Sequence, residues 1–293
     1  MTKSSISRRE FVAGAGIATS AVALAGLTAC GGQNAADTAA ASTAAAGDAT
    51  KLTFCLDYTP NTNHTGIYVA KNQGFFEEEG LDVEIVQPAD GTAEAAIASG
   101  QAQFGVSYQD YIAACYDEGN TGLTAVAAII QHNTSGIMSR QEDGITRAKE
   151  MEGHVYTTWE MAVEQATIKQ VMESDGGDFS KLKMVPYTVD DEIAGLKANM
   201  FDCVWVYEGW ACQNAKIQDY PVNYFSFKDM DDVFDFYTPV IAANIEFAQA
   251  NPEVAKAFLR AAKKGYEFAV QKPEDAAKIL LKEVPELDAD LVN

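Results

Sequence analysis

Positive charge is scarce in this chain. Lysine and arginine together number 21 against 42 aspartates and glutamates, a formal net charge of -21 over 293 residues. So acidic a surface excludes nucleic acid as a partner and describes a well-solvated exterior. Histidine is scarcer still, with His64, His132 and His154 scattered along the chain. None of the five cysteines is spaced as Cys-x-x-Cys or lies beside a His-x-x-x-His pair, so no metal site of the usual spacing is expected. The chain also lacks the Gly-x-Ser-x-Gly elbow, the Gly-x-x-x-x-Gly-Lys-Ser/Thr phosphate loop and the Gly-x-Gly-x-x-Gly turn. After residue 30 no apolar run is long enough to span a bilayer.

What is present begins with a leader. Arg8-Arg9-Glu10-Phe11 precedes a Gly/Ala-rich apolar stretch to Ala29, and Leu27-Thr28-Ala29-Cys30 resembles a lipobox. In that reading residues 1–30 are removed or anchored outside the fold, and Cys30 carries a diacylglycerol that ties the protein to the extracytoplasmic face of the membrane. The twin arginine followed by x-Phe also resembles the signal of the folded-protein export route. Residues 31–50, GGQNAADTAAASTAAAGDAT, contain no large apolar side chain and read as a flexible tether.

From residue 51 short apolar runs alternate with amphipathic ones, the pattern of an α/β chain with mostly parallel strands. Strands are expected at KLTFCLDY, LDVEIV, FGVSY and LTAVAAIIQ, with helices over 65–72, 92–100 and the YIAACYDEG run. A second set follows: strands at GHVYTTW, LKMVPY and FDCVWVYEG, helices over 163–172 and 190–198. TPVIA and a helix from Pro252 to Val270 then return to the first unit. The expected division is 51–137 with 238–293 as one lobe and 138–237 as the other. Ligands in open α/β sheets sit beyond the carboxyl ends of strands, here Asp57-Tyr58, Ser107-Tyr108 and Tyr207-Glu208.

Asp57, Tyr58, Asn61, Asn63 and His64 cluster ahead of the first helix. Pro60 bars early helix formation, so the asparagines and His64 read equally as turn and capping residues. Together they also form a polar rim with an aromatic face and a carboxylate, suited to a flat heterocycle with ring nitrogens and an amino group. His64 and Asp57 suggest a base and its orienter, but no nucleophile is placed to complete a catalytic set. Ser107, Tyr108 and Gln109 start a helix and extend the rim. In the second lobe Trp159, Trp205, Tyr207 and Trp210 read either as core or as cleft wall, and Glu208 stands at a strand end among them. Of the remaining cysteines, Cys203 sits in an apolar run where a buried thiol is the common case.

LDYTPNTNHTGIYVAKNQGFFEEEGLDVEI, FGVSYQD, GLKANMFDCVWVYEGW, YTPVI and NPEVAKAFLRAAKKGYEFAVQKPEDAAKILL, in that order, resemble the substrate-binding lipoproteins of ABC transporters that are related to thiamine-pyrimidine synthases. The resemblance covers nearly all of 51–293. It implies a two-lobed type II periplasmic-binding-protein fold with its cleft between the lobes, no cofactor, a small heterocyclic ligand and delivery to an ABC permease. Relatives take thiamine-type aminopyrimidines, riboflavin or small sulfonates, and the aminopyrimidine is the leading expectation. The synthases carry a pyridoxal-phosphate lysine and a histidine just after the glycine of the third strand, and a cysteine-rich motif downstream. Here those positions read Ser107 and Tyr111, with no cysteine-rich run, so an enzyme is not expected. As a strand-end acid among aromatics, Glu208 is expected to accept from the ligand's amine or protonated ring nitrogen, and the comparison with relatives, which continue past LDADLVN, leads to the expectation that the chain is a fragment.

Overall fold

The computed structural model describes residues 49–88, 92–186 and 191–293. The leader, its twin arginine and Cys30 lie outside the described residues. Among the described residues ten strands form two sheets: β1 (Thr50–Cys55), β2 (Leu81–Val86), β3 (Phe104–Ser107), β4 (Leu123–Ala128), β5 (Ser135–Arg140), β6 (Val155–Thr158), β7 (Lys183–Pro186), β8 (Cys203–Tyr207), β9 (Val222–Ser226) and β10 (Val240–Asn244). The first sheet has the order β2-β1-β3-β10-β4 and the second β7-β6-β8-β5-β9. β1 pairs in parallel with β2 and β3, and β6 with β7 and β8. In each sheet one antiparallel strand, β10 or β5, occupies the fourth place. The plan is therefore built twice, and the chain passes out through 129–134 and back through 227–239. These crossing segments bond to each other, with Thr238 N–H donating to Ile130 O at 3.2 Å and Ile129 N–H to Pro239 O at 3.1 Å.

Two strands were not visible in the residue pattern. β5 is buried at every position, so its sequence SGIMSR shows no period-two alternation, and its polar residues disguise a central strand. Arg140 closes it: its guanidinium donates to Leu196 O and Phe201 O at 3.2 and 2.8 Å, and it pairs with Asp143 at 2.8 Å and with Asp202. β9, VNYFS, completes that edge. Because β5 begins at Ser135 and pairs only within the second sheet, the expected first-lobe stretch 51–137 runs too far, and its last residues belong to the second lobe. β1 likewise begins at Thr50, just inside the expected tether.

The first lobe is held by an aromatic stack. Phe258 lies 4.0 Å from Phe104, 5.3 Å from Phe76 and 5.8 Å from Phe54 between ring centroids. It projects from the helix Pro252–Gln271, whose buried residues Ala257, Phe258, Ala261, Ala262 and Gly265 form one stripe. That helix packs closely against the helix Thr65–Asn72: a Cβ on Gly265 would meet Gly66 O at 2.0 Å, so only glycine permits the approach. The next residue, Tyr266, donates its hydroxyl to Asn63 O at 2.8 Å, which ties the helix to the loop after β1. The second lobe has apolar clusters on both faces of its sheet, centred on Tyr156 and Trp205 on one and on Met138 and Phe201 on the other. Cys55, Cys115, Cys203 and Cys212 are all free thiols. Burial pushes the Cys203 thiol far up and those of Cys55 and Cys212 to about 11, which keeps them protonated and unreactive.

Candidate functional site

A cavity of about 390 Å³ opens where the carboxyl ends of β1, β3, β6 and β8 face one another. From the first lobe Asp57, Tyr58, Asn61, Asn63, Tyr108 and Tyr111 line it; from the second, Trp159, Glu192, Trp205, Tyr207 and Trp210. The lobes meet there through Tyr108 and Tyr207, whose rings stack at 5.6 Å with 20° between planes. Ligand cavities of this kind are mostly apolar with a few placed polar groups, and this one fits that description.

Asp57 is the fixed point of the first lobe. Its side chain is 6 % exposed and accepts from His64 Nε2 at 2.6 Å through one oxygen and from the Tyr108 hydroxyl through the other. His64 is wholly buried, and its Nδ1 accepts from the Asn61 backbone N–H at 3.1 Å. The ring proton therefore sits on Nε2, aimed at Asp57, and neither nitrogen is left to act as a base. Burial pushes the Asp57 carboxyl up, but the hydrogen bonds from His64 and Tyr108 more than reverse this and hold it below the usual carboxylate range. Burial and the neighbouring Asp57 charge push the Tyr108 phenol well above its ordinary value, so it stays a donor.

The loop that carries these groups is closed by its own side chains. Asn61 Oδ1 accepts from the Asn63 N–H at 2.9 Å, and Asn61 Nδ2 donates to Thr59 O at 3.1 Å. With His64 this makes a reciprocal cap on the turn that leads into the helix Thr65–Asn72. Asn61 thus spends its polar atoms on the turn while its surface faces the cavity.

On the second lobe, Trp159 stands on a loop that Glu164 organises. The buried Glu164 carboxylate accepts from the Tyr156 hydroxyl at 2.6 Å, from Thr158 Oγ1 at 2.9 Å and from the Trp159 N–H at 3.0 Å. Glu160 beside it takes a positive φ of 62°, a strained conformation for a non-glycine residue that this network holds in place. Trp159 and Trp205 meet at 5.7 Å, and Trp205 makes an edge contact with Phe227 at 4.5 Å. The buried Trp205 Nε1–H has no acceptor among the described residues. Glu192 sits in the first turn of the helix Glu192–Lys197, and burial pushes its carboxyl above the usual range.

Several sequence expectations need correction. Ser107 does not face the cavity: it is buried in the first lobe and donates to Glu94 at 2.6 Å. Gln109 is exposed at the helix start and does not line the cavity. His64 lies behind Asp57 rather than on the rim. Glu208 opens a π-helical turn, Glu208–Cys212, is exposed and is not among the residues that line the cavity, so it is not the second-lobe carboxylate found there. That carboxylate is Glu192, which the sequence disguises as one more acid in the Asp190-Asp191-Glu192 run at a helix start. Tyr111, which the resemblance singles out only as the residue at a synthase position, lines the cavity from the helix Gln109–Asp117, its ring 5.1 Å from that of Tyr108, the residue just before that helix.

A family model described as "NMT1/THI5 like" matches residues 61–276. The chain belongs to that family. It is 27 % identical over 238 residues to the formylaminopyrimidine-binding protein of Halalkalibacterium halodurans, covering 81 % of this chain and 72 % of the relative. It is 26 % identical over 253 residues to the 4-amino-5-hydroxymethyl-2-methylpyrimidine phosphate synthase THI11 of Saccharomyces cerevisiae, covering 82 % and 73 %. Among solved structures, the periplasmic aliphatic sulphonate binding protein SsuA from Escherichia coli superposes with a TM-score of 0.66 at 15 % identity, over 83 % of this chain and 81 % of that one. The likeness shows the two-lobed periplasmic-binding fold.

Proposed function

We propose that this chain is the extracytoplasmic solute-binding component of an ABC importer and that its solute is a thiamine-related aminopyrimidine. The observation that carries the reading is the pairing of Asp57 and Glu192 across a cavity walled by tyrosine and tryptophan. Flat rings stack on such walls, and a carboxylate on each lobe accepts from an exocyclic amine or a protonated ring nitrogen. The formylaminopyrimidine-binding relative supports the same ligand class. A synthase would hold pyridoxal phosphate on a lysine; no lysine is among the described residues lining this cavity, and Ser107, at the expected position, is committed to Glu94. Binding and delivery to a permease, without catalysis, is the reading these residues support.

The leader supports attachment at Cys30. No helix among the described residues is long and apolar enough to cross a membrane. A Cys30→Ala variant should lose the lipid and be released from membranes on fractionation; retention in the membrane would count against the anchor.

Titration calorimetry with a formylated aminopyrimidine, thiamine, riboflavin and taurine tests the ligand class. The aminopyrimidine should bind at micromolar concentration or tighter, ahead of the others. Preference for riboflavin would move the assignment to flavins, preference for taurine would move it to sulfonates, and silence from all four would end it.

A further inference from the structure

Tyr207 ends β8, the middle strand of the second sheet, and pairs there with Ser135 at the start of β5. Its ring stacks on Tyr108, which directly follows β3, the middle strand of the first sheet. Thr238 reaches the same place from the returning segment. Two residues after it, Val240 opens β10 opposite Ser107, the last residue of β3, and the Thr238 N–H donates to Ile130 O at 3.2 Å. Thr238 is thus tied to the first lobe and the crossing segments, whereas Tyr207 moves with the second sheet. Tyr207 lines the cavity and Thr238 does not.

The two hydroxyls are neighbours without being aligned. Burial pushes the Tyr207 phenol well above its ordinary value, and the Thr238 hydroxyl beside it works against that rise. Yet Thr238 is only 2 % exposed, and its Oγ1 has no partner of hydrogen-bonding geometry among the described residues. Leaving a buried hydroxyl unpaired costs more than pairing it gains, so this group favours any arrangement of the lobes that supplies its bond. A small rotation of the second lobe about the crossing segments aligns the two.

Resting on the solute-binding reading, we propose that Thr238 is a positioning residue for solute capture: as the lobes close, Thr238 Oγ1 accepts the Tyr207 hydroxyl, and this bond between crossing segment and cavity wall stabilises the closed, loaded arrangement. Thr238 touches no solute and acts through Tyr207. The bond adds to the differential affinity on which closure depends.

Titration calorimetry and stopped-flow dissociation with a formylated aminopyrimidine, on the whole chain, test this. Thr238→Val removes one hydroxyl and keeps the shape; Tyr207→Phe removes the other and keeps the stack on Tyr108. Each should weaken binding by about three- to tenfold, and the double variant should be no weaker than either single one. The loss should appear as faster dissociation, because the bond forms after the solute is enclosed. Thr238→Ser, which keeps the hydroxyl, should bind like the parent. Thr238→Val, which sheds an unpaired buried hydroxyl, should melt no lower than the parent, a result that a merely structural role would not give. Losses that add in the double variant would give the two hydroxyls separate roles and overturn the proposal, as would Thr238→Val binding as tightly as the parent. If the parent prefers thiamine, riboflavin or taurine, the ligand assignment fails and the same variants titrated with that solute decide the role of Thr238. A parent that binds none of the four ends both readings.

Discussion

Asp57 and Glu192 face the same cavity from opposite lobes and are held in opposite ways. Asp57 accepts two side-chain donors before any ligand arrives, and its carboxyl lies below the usual range. Glu192 is raised by burial, only partly offset by its own backbone N–H, with Asp191 adding to the rise. The same contrast runs through their surroundings. The first-lobe rim is closed by His64, Asn61 and Tyr108, whereas the second-lobe wall leaves the Trp205 indole N–H unpartnered. One lobe is a finished platform and the other holds groups that a ligand would complete. A solute that docks on the platform and satisfies the second wall stabilises the closed arrangement, since a ligand shifts an equilibrium only by its differential affinity for the two states.

The comparison breaks most severely if the platform's support is removed. Phe258→Ala takes out the ring on which Phe54, Phe76 and Phe104 pack, and urea unfolding should show a loss of about 3–5 kcal/mol. A loss below about 1 kcal/mol would mean that the first lobe does not depend on this stack.

Asp57→Asn acts on the platform's surface. It removes the charge from two charge-assisted hydrogen bonds, and stability should fall by about 2–3 kcal/mol. The sign of the pH dependence follows from the lowered carboxyl. The parent's extra stability is present above about pH 4 and is lost as pH falls through the folded-state value, and the variant should lack that acid-side step. Parallel acid unfolding of parent and variant checks this; superimposable curves would contradict the bonding pattern.

Asp110 sharpens the contrast within the first lobe. It lies in the first turn of the helix Gln109–Asp117, and burial pushes its carboxyl up to about 6 despite backbone N–H bonds that lower it. The folded state therefore takes up a proton that the unfolded chain releases near pH 4, so stability falls as pH rises between about 4 and 6. Asp110→Asn should be more stable than the parent at pH 7, by on the order of 2 kcal/mol, and equal to it near pH 4. Thermal melts at both pH values decide the matter, and a destabilised variant at pH 7 would reverse the assignment.

The smallest expected effect belongs to the second wall. Glu164→Gln keeps the shape beneath Trp159 but weakens its acceptor set, so ligand affinity should drop by about 1–1.5 kcal/mol through a looser wall. First-lobe stability should be unchanged, as read by hydrogen exchange in β1 and β3. Equal loss of protection in both lobes would remove the distinction between platform and wall.

Much of this was legible in the residues. Strand ends that carry Asp57, Tyr108 and Tyr207 stood out because apolar runs stop there at polar or aromatic residues, and the chain's return at β10 followed from the second α/β set. Legibility failed where local pattern and tertiary role diverged. Glu208 looks like a strand-end ligand, but the π-helical turn that begins with it swings it out and presents Trp210 to the cavity instead. Glu192 looks like a helix-start acid and is one, yet the fold of its lobe turns that start toward the cleft. β5 escapes because a strand buried on both faces carries no alternation, and Arg140 at its end is neutralised by Asp143, three residues on, and by Asp202 from a distant part of the sequence.

A crystal structure of the complex with a formylated aminopyrimidine tests the central contrast most directly. The account predicts that the Asp57 bonds to His64 and Tyr108 persist unchanged while the ligand's ring edge meets Asp57, and that Glu192 and the Trp205 indole N–H each gain a ligand partner. A complex in which His64 turns out to contact the ligand, or in which Glu208 rather than Glu192 reaches the amine, would contradict it.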